Sequence, residues 1–175
     1  VPLQGNATTS IQNPYAQGNG WFVDKLTYVA DANAEYAGVG KIDVSHEAVA
    51  DKKFEPILGQ TQTNDSTASV VLTKYEPNNM TYTVNSTKGG VVVFSEVYYP
   101  GWTATIDGQP AELGRVNYIL RALNVKAGKH EVVLDFHPTS ISTTETIAYA
   151  ALIVLLLAIC VAIYSEKKKQ KTTKE

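Results

Sequence analysis

The residues of this chain best suited to chemistry are the aromatic side chains of one short stretch, YYPGW. Tyr98, Tyr99 and Trp102 follow one another around Pro100 and Gly101. Aromatic rings beside a turn can stack on the apolar face of a sugar ring, and they also form the core and corners of small β-sandwiches. The stretch therefore leaves two interpretations open, a carbohydrate-binding surface and a structural corner.

The strand that follows the corner favours a structural role for the tryptophan. In the run WTATID, Trp102, Ala104 and Ile106 share one face of the predicted strand. Because the apolar face of a half-buried strand packs on the core, Trp102 is predicted to be a core anchor. Tyr98 and Tyr99 point to opposite faces, so we expect one of them to be exposed, where it could contact a ligand.

Two turn signals lie on either side of this strand. Pro100 and Gly101 are predicted to end the preceding strand and to turn the chain into the next one. Asp107 and Gly108 can adopt the positive φ angles of a tight turn, so TIDGQPAEL is predicted to form a hairpin. These four residues and Trp102 are therefore expected to form a structural motif.

A charged candidate lies further along the chain, within a predicted strand. In NYILRALNV, the alternation predicts that Asn117, Ile119, Arg121 and Leu123 share one face. In one interpretation Arg121 lies over the sheet, with its head in water or on a carboxylate such as Asp135. In the other it contacts a ligand or a partner. The candidate ligand-binding residues are Tyr98, Tyr99 and Arg121.

No pattern in the sequence predicts a metal, a cofactor or a catalytic nucleophile. His46, His130 and His137 are scattered without metal-ligand spacing, and no Gly-rich phosphate loop or nucleophile elbow is present. The single cysteine, Cys160, excludes an intrachain disulfide. Residues 1–165 carry a net charge of −5, which gives no electrostatic support for binding nucleic acid. We expect no metal, no cofactor and no nucleic-acid partner.

The larger part of the chain has the composition of a β protein. From residue 69 onward, short runs rich in Val, Ile, Thr and Tyr alternate with turn signals. Further strands are predicted over roughly residues 21–30 and around Ala48, with a helical turn or two in ANAEYAGVGKI. This pattern predicts a mainly β fold, an antiparallel β-sandwich of immunoglobulin-like or jelly-roll-like type.

The C-terminal end predicts a membrane span. Residues 147–164 contain no charged residue, and ten of them are Ile, Leu or Val. As a helix this stretch is about 27 Å long, close to the ~30 Å thickness of a bilayer's hydrocarbon core. By the positive-inside rule, the Lys-rich segment after it is predicted to be cytoplasmic and residues 1–145 extracytoplasmic. The lysines that flank the anchor are Lys167, Lys168, Lys169 and Lys171.

These patterns predict four regions. They are an irregular N-terminal segment at 1–19, an extracytoplasmic β-sandwich at 20–140 with a possible linker near 60–67, a transmembrane helix at 146–164 and a basic cytoplasmic tail at 165–175. Because the chain begins with Val and no signal peptide follows, we expect it to be a piece of a longer protein.

Several blocks resemble the C-terminal extracytoplasmic domain of bacterial YfhO-type membrane proteins. The blocks are Tyr99–Trp102, the Asp107-Gly108 turn, Asn117-Tyr118 with the following Arg121, and Ala127–His130. Two upstream blocks, NPYAQGNGWFVDKL and VADKKFE, resemble the Bacteroidota members of that family. A final span with a Lys-rich tail also fits.

The resemblance implies a polytopic protein of the GT-C glycosyltransferase type, which would transfer a sugar from a polyprenyl-phosphate donor onto an envelope glycan. In that class the catalytic acid lies between early membrane spans that this sequence does not contain, so no catalytic residue is assigned here. The implied role is a non-catalytic accessory domain. Its implied partners are the lipid bilayer, the remaining transmembrane portion of the parent protein, and a polyprenyl-phosphate sugar or an envelope glycan.

Two alternatives stay open at this point. The chain could be a single-pass surface protein whose β-sandwich binds carbohydrate or another protein. It could also be a structural ectodomain without a ligand.

Overall fold

The computed structural model describes residues 13–61 and 64–172, which divide after Phe136 into two units. The first unit is mainly β and the second is one long helix, as predicted. The strands are β1 (Gly20–Val23), β2 (Lys25–Val29), β3 (Glu47–Asp51), β4 (Ser69–Glu76), β5 (Asn79–Ser86), β6 (Gly90–Val97), β7 (Trp102–Ile106), β8 (Gln109–Ala111), β9 (Gly114–Val116), β10 (Leu120–Val125) and β11 (Gly128–Phe136). The helices are α1 (Ala32–Val39), α2 (Glu55–Leu58) and α3 (Thr139–Thr172).

Two antiparallel sheets face each other and form the predicted β-sandwich. The strand order is β1-β6-β10-β9 in one sheet and β4-β5-β11-β7-β8 in the other. Alternate side chains of both sheets point inward and form one core, in which the rings of Tyr82 and Phe94 meet edge to face at 4.8 Å between centroids. The hairpin predicted from Asp107-Gly108 is present, because β7 pairs with β8 across this turn.

A third layer, which the sequence patterns did not predict, covers the other face of the four-stranded sheet. Strands β2 and β3 pair in parallel, and their residues Leu26 and Ala48 join Leu58 of α2 in a second core. The predicted strand over residues 21–30 is therefore wrong as one element, since the chain leaves the sandwich at Asp24 and enters the third layer. Between these two cores lies β6, whose residues 91–94 are all fully buried.

The short helical stretch predicted in ANAEYAGVGKI is the eight-residue helix α1. Asp31 caps its first turn, because the Asp31 side chain accepts a hydrogen bond from the backbone N–H of Ala34 at 2.9 Å. The helix packs on β3, where Gly38 lies against Val49; a Cβ atom at Gly38 would be 3.1 Å from the Val49 side chain. Glu35 of this helix is fully buried, which is unusual for a carboxylate.

The loop before β4 is fixed to the sandwich by one carboxylate. Asp65 accepts hydrogen bonds from the hydroxyls of Thr67 and Ser86 and from the backbone N–H of Thr87, at 2.6 to 2.8 Å. The bonds from Thr67 and Ser86 hold the pKa of the Asp65 carboxyl well below its ordinary value of 3.8. The predicted linker near 60–67 is therefore anchored at Asp65, whereas its residues 62 and 63 lie outside the described residues.

The second unit contains a helix that can cross a membrane by its length and composition. The candidate membrane span within α3 runs from Thr143 to Tyr164, 22 residues, and its 18-residue apolar window has a mean hydropathy of 2.8. It includes the whole of the predicted span at 146–164. The side chains of the four predicted flanking lysines, like residues 1–12 of the predicted N-terminal segment, lie outside the described residues.

Substitution of Gly114 by alanine tests the packing of α2 on β9. A Cβ atom at Gly114 would lie 2.6 Å from the Leu58 side chain, which is fully buried, so the side chain or the backbone would have to shift. We therefore expect Gly114→Ala to lower the free energy of unfolding by roughly 1–3 kcal/mol. The measurement is urea unfolding of the chain in phospholipid nanodiscs, followed by near-ultraviolet circular dichroism.

The control is Gly40→Ala, because an added Cβ at Gly40 meets no atom within 4 Å and its φ is −70°. We expect this variant to be as stable as the original chain or slightly more stable. Equal urea midpoints of unfolding for Gly114→Ala and Gly40→Ala would contradict the described contact between Gly114 and Leu58.

Candidate functional site

The two tyrosines of the corner at residues 98–102 lie in different surroundings, one packed inward and one exposed to solvent. Tyr98 is half-buried and packs its ring edge to face on Phe54 of the second core, at 5.7 Å between centroids. Tyr99 is 62% exposed, and its ring lies 6.4 Å from that of Phe136. The chain reverses after the exposed Pro100, where Gly101 has a φ of 101° that other residues rarely adopt. Tyr99 is thus the tyrosine that faces solvent at this corner.

Trp102 forms the inner side of the corner together with a buried arginine. The tryptophan is partly buried against the sandwich core, and its ring lies 5.2 Å from that of Phe136. The guanidinium carbon of Arg121 lies 3.8 Å from the centroid of the Trp102 ring, a cation–π contact. This group of four side chains, Tyr99, Trp102, Arg121 and Phe136, is called the aromatic corner below.

Arg121 is the least expected member of the aromatic corner. Only 3% of the residue is exposed, and its Nε donates a hydrogen bond to the carbonyl oxygen of Val97 at 2.8 Å. Burial lowers the pKa of the Arg121 guanidinium, and the negative charge of Glu96 opposes this shift. Its Nη1 has no hydrogen-bond partner within the described part of the chain. The buried guanidinium of Arg121 therefore has one nitrogen, Nη1, that donates no hydrogen bond to the described residues.

The expected surroundings of Arg121 are wrong. Its head was expected in water or on Asp135, but it lies inside the sandwich. Asp135 follows Leu134, which points into the sandwich core, so Asp135 is on the outer face of its sheet. There it accepts a hydrogen bond from Nδ2 of Asn79 at 3.3 Å.

The predicted shared face of Asn117, Ile119 and Arg121 is also wrong, because the first two residues precede the strand. Strand β10 begins at Leu120, and its register on β6 shifts between Leu120 and Arg121. Asn117 has a φ of 50° and Tyr118 a φ of 72°, so the backbone turns instead of alternating. Left-handed backbone costs about 1–2 kcal/mol per residue, and such strain often marks functional sites.

A buried ion pair holds this turn in place. Oε1 of Glu35 accepts a hydrogen bond from the backbone N–H of Tyr118 at 2.9 Å, and Oε2 accepts one from Nη2 of Arg115 at 2.6 Å. Asn117 exchanges two hydrogen bonds with the backbone of Val49, at 2.7 and 3.0 Å. Sequence reasoning missed Glu35 and Arg115. The only signal was the one charged residue of a short helix, and nothing local indicated its partner.

The Asp107-Gly108 turn is fixed to the neighbouring strand β11. Asp107 has a φ of 52° and Gly108 a φ of 76°, as a tight hairpin requires. Oδ2 of Asp107 lies 2.6 Å from Nδ1 of His130, and Oδ1 accepts a hydrogen bond from the backbone N–H of Glu131. The hydrogen bond between the side chains lowers the pKa of Asp107 and raises that of His130. This pair has a structural role in the hairpin.

Metal binding finds no support in the described part of the chain. In residues 13–61 and 64–172, no three His, Cys, Asp or Glu side chains come together as a metal site would need. Two of the three histidines are paired with carboxylates instead, His46 with Asp24 at 2.7 Å and His130 with Asp107.

The fold and the corner define a class of protein, a β-sandwich domain joined to a helix that can cross a membrane. A family model described as bacterial membrane protein YfhO matches residues 58–148, from the end of α2 through the sandwich into α3. The match covers more than half of the chain, so the chain belongs to the YfhO family of bacterial membrane proteins. No curated protein and no solved structure matches the chain.

Removal of the Trp102 ring tests its part in the core. Because Trp102 is partly exposed, we expect Trp102→Ala to cost roughly 2 kcal/mol, less than the ~3–5 kcal/mol of a fully buried tryptophan. The loss combines apolar burial with the cation–π contact to Arg121. Urea unfolding in nanodiscs measures it. Tyr99→Ala, at a side chain that is 62% exposed, should change stability by less than ~0.5 kcal/mol; a loss as large as that of Trp102→Ala would contradict this difference.

The His130–Asp107 pair predicts a pH-dependent term in stability. Because the folded-state pKa of His130 is raised above 6.5, the protonated pair stabilises the fold below pH 6.5, and this contribution disappears as pH rises through the raised pKa. Because the pKa of Asp107 is lowered below 3.8, the contribution is also lost at the acid end, as pH falls through that lowered pKa. We expect the difference in unfolding free energy between the original chain and His130→Gln to be largest between about pH 3.8 and pH 6.5, where both contributions are fully present.

The measurement is the unfolding midpoint of both proteins as a function of pH. In an Asp107→Asn background, the same His130→Gln substitution should show almost none of this pH dependence. If the dependence persisted there, a group other than Asp107 would be responsible for it.

Proposed function

We propose that this chain is the accessory extracytoplasmic domain and last membrane span of a polytopic glycosyltransferase that uses a lipid-linked sugar to modify a cell-envelope glycopolymer. In this proposal the domain is not catalytic by itself. It holds the phosphate and sugar of a polyprenyl-phosphate sugar at the aromatic corner. The observation that carries the proposal is Arg121, a buried cation with an unused donor that stacks on Trp102, in a group of rings of which Tyr99 is exposed.

The chemistry of Arg121 suits a phosphate oxygen. Burial of a guanidinium is unfavourable unless its charge and its donors are compensated. Its Nε and its π contact are used inside the domain, whereas Nη1 has no partner among the described residues. A planar guanidinium binds phosphate by directed, charge-assisted hydrogen bonds. An anionic ligand at the corner would therefore supply the compensation that Arg121 lacks.

The rings around Arg121 suit the sugar part of the same ligand. Tyr99 presents an exposed face next to Phe136, and Trp102 completes the row on the inner side. The C–H face of a sugar ring can pack on such rings while its hydroxyls remain in water. Tyr98, the third candidate ligand contact, packs inward on Phe54 and acts in this proposal as a support for the corner.

Family membership and the C-terminal helix support the membrane part of the proposal. The family match runs from the sandwich to residue 148, so it includes the first turns of α3 and reaches the start of the apolar helix. The lysines that follow the helix favour a cytoplasmic tail by the positive-inside rule. An extracytoplasmic position would bring the aromatic corner to the side where envelope glycans are assembled.

Two substitutions in the full-length parent protein test the proposed contacts. Tyr99→Ala removes an exposed ring, and Arg121→Met replaces a buried cation by an apolar side chain of similar length, which keeps most of the buried volume and removes the charge and the donors. We expect each variant to reach the membrane at the normal level and to lower sugar incorporation into the envelope glycopolymer by about tenfold, equivalent to ~1.4 kcal/mol of lost binding. The measurement is incorporation of radiolabelled sugar in cells that lack the original gene.

The matched control is Tyr75→Ala, because Tyr75 is 63% exposed on β4 and Tyr99 is 62% exposed at the corner. Normal incorporation with Tyr75→Ala and reduced incorporation with Tyr99→Ala would support the corner as the site. Normal incorporation with both Tyr99→Ala and Arg121→Met would reject it. Glycan binding to the domain without any effect on incorporation would favour a carbohydrate-binding surface protein instead.

A further inference from the structure

A groove that the proposed function does not use opens on the face of the four-stranded sheet opposite to the sandwich core. It has a volume of about 400 Å³, within the range of small-ligand sites. Trp21 of β1 and Leu120 of β10 form its floor and continue the second core outward. Val39 and Val44 form one wall, and the strained turn with Asn117 and Ile119 forms the other.

The lining of this groove is free of charge. Of the residues the structure places around it, none carries a charged side chain. Its polar groups are the amides of Gln17 and Asn117 and the hydroxyl of Ser95. An anionic ligand would find no counter-charge here, in contrast to the aromatic corner with Arg121. The chemistry of the groove therefore suits an uncharged ligand.

The turn that forms one wall has the features of a binding element. Its left-handed residues, Asn117 and Tyr118, are held by the fully buried Glu35, which also pairs with Arg115. A buried ion pair contributes little to stability but can specify one conformation. Here that conformation presents Tyr118, which is 42% exposed, and places its ring edge to face on Tyr36 at 5.4 Å. Strain maintained by such means is common at functional sites.

One donor at this wall is unused. Asn117 is 7% exposed, and its Oδ1 accepts a hydrogen bond from the backbone of Val49. Its Nδ2 has no partner in the described ranges, although an unpaired buried amide is unfavourable. A ligand with a hydroxyl or carbonyl oxygen at this wall could accept from Nδ2 after a small adjustment. A pure hydrocarbon would leave this donor unsatisfied and keep much of its own surface in water.

We propose that the groove binds an uncharged sugar ring of a glycan, with the apolar C–H face of the ring on Trp21 and a ring oxygen or hydroxyl accepting from Asn117. This inference rests on the proposed function, and it assigns the neutral glycan and the anionic lipid-linked sugar to different surfaces of the domain. Trp21 can take this position because its Nε1 already donates to the carbonyl oxygen of Val44 at 3.0 Å, which fixes the ring. Tyr118 and Tyr36 flank the same wall.

The two tryptophans of the chain allow a selective test. In a Trp102→Phe protein, fluorescence reports only on Trp21 in the groove, whereas in Trp21→Phe it reports only on Trp102 at the corner. The probes are methyl glycosides of glucose, galactose and N-acetylglucosamine in the millimolar range, with the chain in phospholipid nanodiscs free of glycoside detergents. We expect at least one glycoside to shift the Trp21 emission saturably and to leave the Trp102 emission unchanged.

A pair of valine substitutions localises the response. Val44→Arg, at a wall residue that is 41% exposed, should fill the groove and weaken the apparent affinity by about tenfold or more. The control Val71→Arg, at a residue of β4 that is 53% exposed, should leave the affinity unchanged. Equal affinities in the two variants would overturn the assignment to the groove.

The remaining outcomes separate this inference from the proposed function. A saturable response of Trp102 alone would overturn the groove site and leave the aromatic corner in place. A response of Trp21 to dodecanol but to none of the glycosides would show that the groove binds an apolar ligand and would also overturn the inference. If no glycoside changed the emission of either tryptophan, the inference would also be overturned. The incorporation assay with Tyr99→Ala tests the proposed function independently.

Discussion

The structure of the first unit depends on one strand that is buried on both faces. In β6, Val91 and Val93 pack into the second core, whereas Val92 and Phe94 pack into the sandwich core, and all four are fully buried. Burial of such side chains stabilises the fold by about 1.5–3 kcal/mol each. The same strand places both candidate sites. Its end provides the Val97 carbonyl that orients Arg121, and Ser95 lines the groove.

Two arginines, the partly buried Arg115 and the buried Arg121, show how the same residue type can serve different purposes. Arg115 pairs with the fully buried Glu35, and their charges compensate each other while they hold the turn at Tyr118. Arg121 compensates its charge only in part, by a carbonyl, an aromatic face and the field of Glu96. The first arrangement compensates its charge without a ligand, although the buried Nε of Arg115 also has no hydrogen-bond partner among the described residues. The arrangement around Arg121 has no ion-pair partner in the part of the chain that the structure describes and is less favourable in the free domain. For this reason Arg121 indicates an anionic ligand more strongly than Arg115 does.

Much of the fold could be predicted from local sequence, and the sites only in part. Alternation and turn residues were sufficient for β4, β5, β11 and the β7–β8 hairpin, because these elements depend on near neighbours. The third layer was missed because β2 and β3 pair across 22 positions, Lys25 with Glu47. The break at Asp24 was missed because residues 21–30 were interpreted as one strand. Parity placed Trp102 on the inward face, but it failed before Arg121, where two left-handed residues and a register shift interrupt the alternation. The Glu35–Arg115 pair joins positions 80 residues apart, beyond any local pattern.

The extent of the family match separates the two surfaces. All four residues of the aromatic corner lie within residues 58–148, so the corner belongs entirely to the part of the chain that the family model describes. The groove takes Trp21, Val39 and Val44 from the segment before residue 58 and Asn117 to Leu120 from within the match. The corner, to which we assign the phosphate-bearing ligand in our proposal, therefore lies wholly in the segment that the family shares. The groove adds residues from before the matched segment, so the neutral-glycan site that we propose there depends partly on a stretch that the family model does not match.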